Sequence, residues 1–215
     1  MTIVPLQSLT SPVIVLLAAG EGRRYGGIKQ LAEIDGQPMV RRVACAALEH
    51  GVPVIMVTGA HAEQVEAVLD DLPLQIIRHL GWQDGMGSSL AAGIRGVDVS
   101  FPQASAALLC LADQPLLGKV LAQQMLQRHA EAPERLLVTE QDGVSGPPVL
   151  FPRDCFAALT ALSGPHGAHA LIEREAARVE RFASSNGIDV DTPQDLQHVR
   201  DWLATHSAQT GVVDQ

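Results

Sequence analysis

The chain has 215 residues, of which 47% are hydrophobic and 3% aromatic, and a formal net charge of −9. That length suits one substantial α/β domain better than two. The negative balance excludes nucleic acid and anionic membrane surfaces as partners, since both reward a wide cationic face, and so few aromatics exclude a stacking platform for single strands.

Residues 1–12 show no periodicity and read as a lead-in to a single domain over 13–206, with a frayed tail over 207–215. No Lys or Arg precedes the first apolar run, which is therefore no signal-peptide core, and no run approaches the ~18 apolar residues of a membrane span. Cys45, Cys110 and Cys155 are odd in number, far apart and set among apolar residues, which matches reduced, buried thiols. A soluble cytoplasmic protein is expected.

Residues 13–29 read VIVLLAAGEGRRYGGIK, an apolar run that breaks into glycines and then three cations. The run predicts a buried strand, and the glycines after it let backbone amides approach a ligand closely. With Arg23, Arg24 and Lys29 beside those amides, the stretch suits a polyphosphate, because turn amides form an anion-binding concavity. It is neither of two familiar phosphate loops. The dinucleotide pattern G-x-G-x-x-G fits Gly20 and Gly22 but meets Tyr25 at its third glycine. The P-loop spacing from Gly22 to Gly27 is followed by Ile28 before Lys29, and Gln30 replaces the hydroxyl.

Met39, Val40, Val43, Ala44, Ala47 and Leu48 recur at helical spacing and stop at Gly51. A buried strand follows over 54–57, then a turn at Gly59, an amphipathic helix marked by Val65, Val68, Leu69 and Leu72, and a short strand over 75–78. Strands alternating with helices predict a parallel sheet with right-handed crossovers. Residues 85–94, GMGSSLAAGI, join a glycine turn to a helix that Ser88 or Ser89 can cap. A strongly apolar strand over 106–111 ends in Ala112, Asp113, Gln114 and Pro115. A helix carrying Val120, Leu121, Met125 and Leu126 comes next, then a strand over 135–139 and a turn over 141–143. Residues 146–152 read as a rigid loop into a short strand. Helices around Phe156, Leu159 and Leu162 and over 168–175 precede an edge or returning strand over 179–182. Thr192, Pro193 and Asp195 form a capping-box start for a terminal helix with Leu196, Val199 and Leu203.

In an open α/β sheet, ligands bind outside the carboxyl ends of the strands. Residues 18–29, residues 85–89, Asp113 and residues 189–191 all fall at or near such ends. Two carboxylates beside a phosphate loop suit Mg²⁺, which takes one or two of them together with phosphate oxygens and water. Taken singly, each feature has a plainer reading: the glycines as a turn, Asp113 before Gln114-Pro115 as a turn start, Asp189 or Asp191 as a helix-start charge, and Ser88 and Ser89 as caps. The eight histidines show no zinc-ligand spacing, and no serine lies in a G-x-S-x-G elbow.

Five stretches in order, LAAGxxxRxGxxK over 17–29, GMGSSL over 85–90, LADQP over 111–115, GxPVLFPR over 146–153 and DVDTP over 189–193, resemble the molybdenum cofactor cytidylyltransferases across nearly the whole chain. The resemblance implies a Rossmann-like three-layer nucleotidyltransferase fold with a mostly parallel central sheet. It also implies Mg²⁺-dependent transfer of CMP from CTP to molybdopterin, with release of pyrophosphate. The implied nucleotide site is Leu17, Ala18, Ala19, Gly20, Glu21, Gly22, Arg23, Arg24 and Lys29, with Gly85, Met86, Gly87, Ser88 and Ser89 toward the base and ribose. Lys29, Arg24 and Asp113 would be catalytic, Asp113 and Asp191, or less favourably Asp189, would hold Mg²⁺, and Gly146, Pro147 and Pro148 would border the acceptor. Ala18-Ala19 before Gly20 is similar to the cytidylyl rather than the guanylyl members, which favours CTP. Gly22 stands where serine is common in the family, and Pro147 where a polar residue is common. The molybdenum cofactor is the implied acceptor and a molybdenum hydroxylase the implied client. Transfer to a sugar or polyol phosphate and non-catalytic cofactor carriage are the competing readings.

Overall fold

β-branched residues at the start of the first apolar run favour an extended chain, and every side chain of the resulting strand β1 (Val13–Ala18) is buried. That is the condition of a parallel strand covered by helices on both faces. The computed structural model describes residues 10–116, 119–184 and 187–210. After β1 comes a small hairpin of β2 (Glu33–Ile34) and β3 (Gln37–Pro38), turned by Asp35 and Gly36, both at positive φ. Such Asp-Gly pairs favour the tight turn of a two-residue hairpin. The chain then runs through α1 (Met39–Leu48), β4 (Val54–Thr58), α2 (Ala62–Ala67), β5 (Gln75–Arg78), α3 (Met86–Ser100), β6 (Ala106–Leu111) and α4 (Lys119–Glu131). It closes with β7 (Leu136–Gln141), β8 (Val144–Pro152), α5 (Phe156–Thr160), α6 (His169–Arg174), β9 (Val179–Ala183) and α7 (Pro193–Thr210).

The main sheet has seven strands in the order β5-β4-β1-β6-β8-β7-β9. β8 runs antiparallel to both its neighbours, and every other pairing is parallel. The strand order reverses direction beside β1: β4 and β5 are added on one side of it, β6 on the other. Alternation along each strand splits the core. Val13, Val15 and Leu17 face α3, α5 and α6, whereas Ile14, Leu16 and Ala18 face α1, α2 and α4. Helix α3 lies close because Gly93 has no side chain, since a Cβ there would sit 2.7 Å from Val15 Cγ1. A third cluster, with Ile34, Met39, Leu116, Val190, Leu196, Val199 and Leu203, packs the small hairpin and the start of α1 against α7.

Three elements differ from the sequence expectation. Residues 146–152, read as a loop into a short strand, belong to the nine-residue strand β8 inside the sheet. The pairing of β7 with β8 shifts register between Val138 and Thr139, and Thr139 Oγ1 donates to Pro148 O at 2.8 Å. A bulge of this kind is where a sheet tolerates proline, which has no N–H for the ladder. α2 ends at Ala67, earlier than its apolar pattern implied, and Leu69 is buried from the turns that follow. α7 continues past Ser207 to Thr210, where a tail was expected, while most of the predicted lead-in (residues 1–9) and residues 211–215 lie outside the described residues. Among the described residues, no helix is long and apolar enough to cross a membrane.

Candidate functional site

The reversal of strand order leaves a crevice between the carboxyl ends of β1 and β6, the place where such sheets bind ligands. Ala112 N donates to Leu17 O at 3.0 Å and holds the two ends together. Above them opens a cleft of ≈ 580 Å³, walled on one side by residues 17–24 and Lys29, on the other by Leu111, Ala112, Asp113, Asp189 and Asp191, and at one end by Trp82, Gln83, Gly85, Met86 and Ser89. Its volume is within the range of small-molecule sites.

The loop after β1 is braced from beneath. Gln30, only 3% exposed, donates from Nε2 to Gly20 O at 2.7 Å and to Ala18 O at 3.2 Å, and His61 Nε2 donates to Glu21 O at 3.2 Å. Gly22 turns the chain at φ +71°, a conformation open to glycine. Gly20 is different: a Cβ on it would meet nothing within 4 Å, so packing does not demand a glycine there. Its bare backbone faces the cleft.

Electrostatics concentrate at Lys29, which is 8% exposed. Its Nζ donates to Asp113 Oδ2 at 2.6 Å and to Asp191 Oδ1 at 2.9 Å, and Arg24 Nη2 pairs with Asp191 Oδ2 at 2.8 Å. Burial by itself would lower the Lys29 pKa, but Asp113 and then Asp191 overcome it and raise the pKa above the ordinary lysine value. The sign follows: an ammonium with a raised pKa stabilises the fold fully below the unfolded lysine value, and that contribution is lost as pH climbs through the folded one. Asp191 is aimed by the start of α7, where Asp195 Oδ2 accepts from the backbone N–H groups of Asp191 (3.1 Å) and Thr192 (2.8 Å) and Asp195 N donates to Thr192 Oγ1 at 3.3 Å. This is the capping box legible in the sequence. Val190 N donates to Asp113 O at 2.9 Å, which docks residues 189–191 onto the end of β6. Asp189 points instead to Gln114 Nε2, 2.6 Å away. Burial raises its pKa, the Gln114 hydrogen bond opposes the rise, and the nearby carboxylates of Asp113 and Asp191 add to it.

Other predicted site residues divide. Arg23 lies in the cleft wall but pairs with Glu21 at 2.7 Å on the exposed side of the loop, away from the aspartates. Gly85, Met86 and Ser89 line the cleft, whereas Gly87 and Ser88 lie behind it. A Cβ on Gly87 would stand 2.5 Å from His166 O, and Ser88 Oγ donates to Gly85 O at 2.8 Å. Neither serine caps α3: its N-cap is Gly85, at φ +103° and without a side-chain bond, because Ser88 and Ser89 already lie in the first turn and point back to Gly85 O. Gly146, Pro147 and Pro148 sit beside the carboxyl end of β6, as the pairing of Leu109 with Val149 requires, yet they do not line the large cleft. Pro148 borders a separate apolar cavity of ≈ 50 Å³ with Leu16, Ala47 and Cys110. Sequence reasoning assigned no site role to Gln30, Trp82, Gln83, Leu111 or Ala112, although the last two lie in the LADQP stretch. Trp82, one of only two tryptophans and set just before a glycine turn, carried the one usable signal.

The donor set can accept a hard cation. Asp113 Oδ1 is buried with no hydrogen-bond partner among the described residues, the condition of an oxygen left for a ligand. Among the described residues, no three His, Cys, Asp or Glu side chains converge on one metal position, so a divalent ion here would draw its remaining ligands from substrate and water.

A cleft at the switch point of this sheet, with a bare glycine backbone and two cations facing two aspartates, belongs to a nucleotidyltransferase. More narrowly, the chain belongs to the family of the MobA-like NTP transferase domain, whose profile matches residues 14–179. Nicotine blue oxidoreductase of Paenarthrobacter nicotinovorans is 32% identical over 195 residues, spanning 85% of this chain and 93% of that protein. The crystal structure of Rv0371c from Mycobacterium tuberculosis H37Rv superposes with a TM-score of 0.76 at 25% identity, over 90% of this chain and 100% of that one. Its manganese complex gives 0.69 at 23% identity, over 89% and 99%. CMP:2-keto-3-deoxy-manno-octonic acid synthetase complexed with CTP shares the fold, with a TM-score of 0.71 at 18% identity over 92% and 100%.

Proposed function

We propose that the protein transfers CMP from CTP to the molybdenum cofactor in the cytoplasm and releases pyrophosphate, for delivery of the product to a molybdenum hydroxylase. One observation carries the reading: the loop after β1 brings Lys29 and Arg24 onto Asp113 and Asp191 at the mouth of a nucleotide-sized cleft. Phosphoryl-type transfer asks a protein for positioning and charge neutralisation rather than a covalent nucleophile. A terminal phosphate oxygen of the acceptor attacks the α-phosphorus in line, a new P–O bond forms, and the bond from the α-phosphorus to the bridging oxygen breaks as pyrophosphate leaves with its electrons. Backbone amides near Gly20 bind the phosphates, while Arg24 and Lys29 neutralise the charge that builds on the leaving group. Asp113 and Asp191 would hold Mg²⁺, which supplies electrophilic polarisation of the α-phosphate. Trp82, Met86 and Ser89, at the end without cations, suit the base and ribose. Ala18-Ala19 before Gly20 supports cytosine over guanine.

The test is pyrophosphate release with CTP against GTP, ATP and UTP, with and without molybdenum cofactor. Release that requires both CTP and the cofactor is expected. Release with a sugar or polyol phosphate in place of the cofactor would move the acceptor, and cofactor binding without any release would leave a carrier. The name of the Paenarthrobacter relative gives a second activity to assay on the same preparation, reduction of nicotine blue, although this chain lacks the dinucleotide glycine pattern.

A further inference from the structure

We infer that Lys29 holds the divalent cation's place between Asp113 and Asp191 until a nucleotide arrives, so that cation binding is contingent on nucleotide binding. The inference rests on the nucleotidyl-transfer reading of the same cleft. One ammonium spans the pair, at 2.6 Å from Asp113 Oδ2 and 2.9 Å from Asp191 Oδ1, and Arg24 takes Asp191 Oδ2 at 2.8 Å. Of the four oxygens, Asp113 Oδ1 alone is left without a partner among the described residues, and it is buried. A divalent ion entering from water therefore meets two positive charges on the oxygens it needs, an enclosed ammonium that solvent screens poorly and a largely exposed guanidinium.

Lys29 lies on the cleft wall, and its stem rests against Gly22, where a Cβ would come within 3.3 Å of Lys29 Cγ. That contact holds the stem of the side chain, while the ammonium at its end is held by the two aspartates alone among the described residues. A triphosphate in the cleft offers the ammonium and the Arg24 guanidinium more negative charge than two carboxylates do. Drawing both cations onto phosphate releases the aspartate oxygens just as phosphate oxygens arrive to complete a cation's shell. The coupling is reciprocal, so the cation tightens nucleotide binding by the same factor.

The deciding measurement is Mn²⁺ binding by electron paramagnetic resonance with no nucleotide present, comparing wild type with Lys29→Met, Lys29→Arg and the double variant Lys29→Met/Asp113→Asn, each checked for an unchanged melting temperature range. Lys29→Met should bind Mn²⁺ at least about tenfold more tightly than wild type, a change of about 1.4 kcal/mol. Lys29→Arg, which keeps the charge, should stay weak, and the double variant should lose what the single one gained. Equal affinity in wild type and Lys29→Met would overturn the inference, as would a gain that survives Asp113→Asn. Failure of the nucleotidyl-transfer reading shows separately, as absent pyrophosphate release from wild type, and leaves these Mn²⁺ affinities readable.

Discussion

The two ends of the cleft are built by different physics. At the charged end, Lys29, Arg24, Asp113 and Asp191 are held by ion pairs between residues 84 and 162 positions apart in the chain. At the neutral end, Trp82, Met86 and Ser89 are placed by backbone fit. Gly59 packs where a Cβ would strike Ala19 O at 2.6 Å and Trp82 Cβ at 2.8 Å, and Gly85 packs where one would lie 2.5 Å from Pro165 Cα. Ion pairs can exchange partners when a charged ligand enters, whereas close backbone contacts cannot yield without moving whole segments. The charged end is therefore suited to respond to the substrate and the neutral end to present a fixed shape.

That contrast can be broken at either end. The largest effect is expected from Asp113→Ala, which removes the stronger of the two Lys29 contacts and half of the carboxylate pair. Pyrophosphate release should fall by at least about a hundredfold, the scale of losing one group aimed at developing charge, with the fold kept; wild-type turnover at saturating Mg²⁺ would take Asp113 out of the chemistry. Lys29→Ala should raise the KM for CTP and slow transfer together, and a normal rate would mean that the lysine only packs. At the neutral end, Gly87→Ala should act on stability first, because its Cβ would meet backbone oxygens of His166 and Ser163 at 2.5 and 2.9 Å. Overpacking of that kind costs about 1–3 kcal/mol, read as a drop in calorimetric melting temperature; an unshifted transition would show that the 163–166 segment gives way freely. Gly20→Ala inverts the pattern: stability should change by less than about 0.5 kcal/mol, while nucleotide affinity falls because the methyl group projects toward the bound phosphates.

The smallest effect belongs to a residue remote from both ends. His129 on α4 is 4% exposed, its Nε2 bonds Ser105 Oγ at 3.0 Å, and its Nδ1 has no partner among the described residues. Burial pushes its pKa below the ordinary histidine value. The unfolded chain therefore takes up a proton first on acidification, so stability is complete above about pH 6.5 and declines as pH falls below it. Denaturant unfolding at pH 7 and pH 5 should show this decline in wild type and a shallower one in His129→Gln.

Much of the site was legible because its parts are local. The apolar run that becomes β1 and the glycines and cations after it are visible without a fold, as are Asp113 at the close of an apolar strand and the Thr192–Asp195 box. Each is a pattern that the chain's own neighbours impose. What stayed hidden were side chains that act through partners far along the sequence. Gln30 looked like a failed P-loop hydroxyl, yet it holds the loop's carbonyls. Arg23 and Arg24 look alike in the sequence, and only the fold pairs one with Glu21 and the other with Asp191. Ser88 and Ser89 read alike as caps, and only the close approach of residues 163–166 sends Ser88 behind the wall. Gly146, Pro147 and Pro148 looked like loop because proline lacks a ladder donor, and only a register shift in β7 shows how a sheet interior admits them.

Sequence alone determined the alternation of strands and helices, the glycines and cations of the first loop and the family resemblance, since these depend on residue type and near-neighbour spacing. Tertiary structure alone decided that β8 turns antiparallel, that Pro147 and Pro148 stand outside the large cleft, and that Lys29 sits between the two aspartates rather than open to solvent. Those outcomes depend on which distant segments meet at the switch point, and the energy of a buried ion pair or a close backbone contact exists only once they have met.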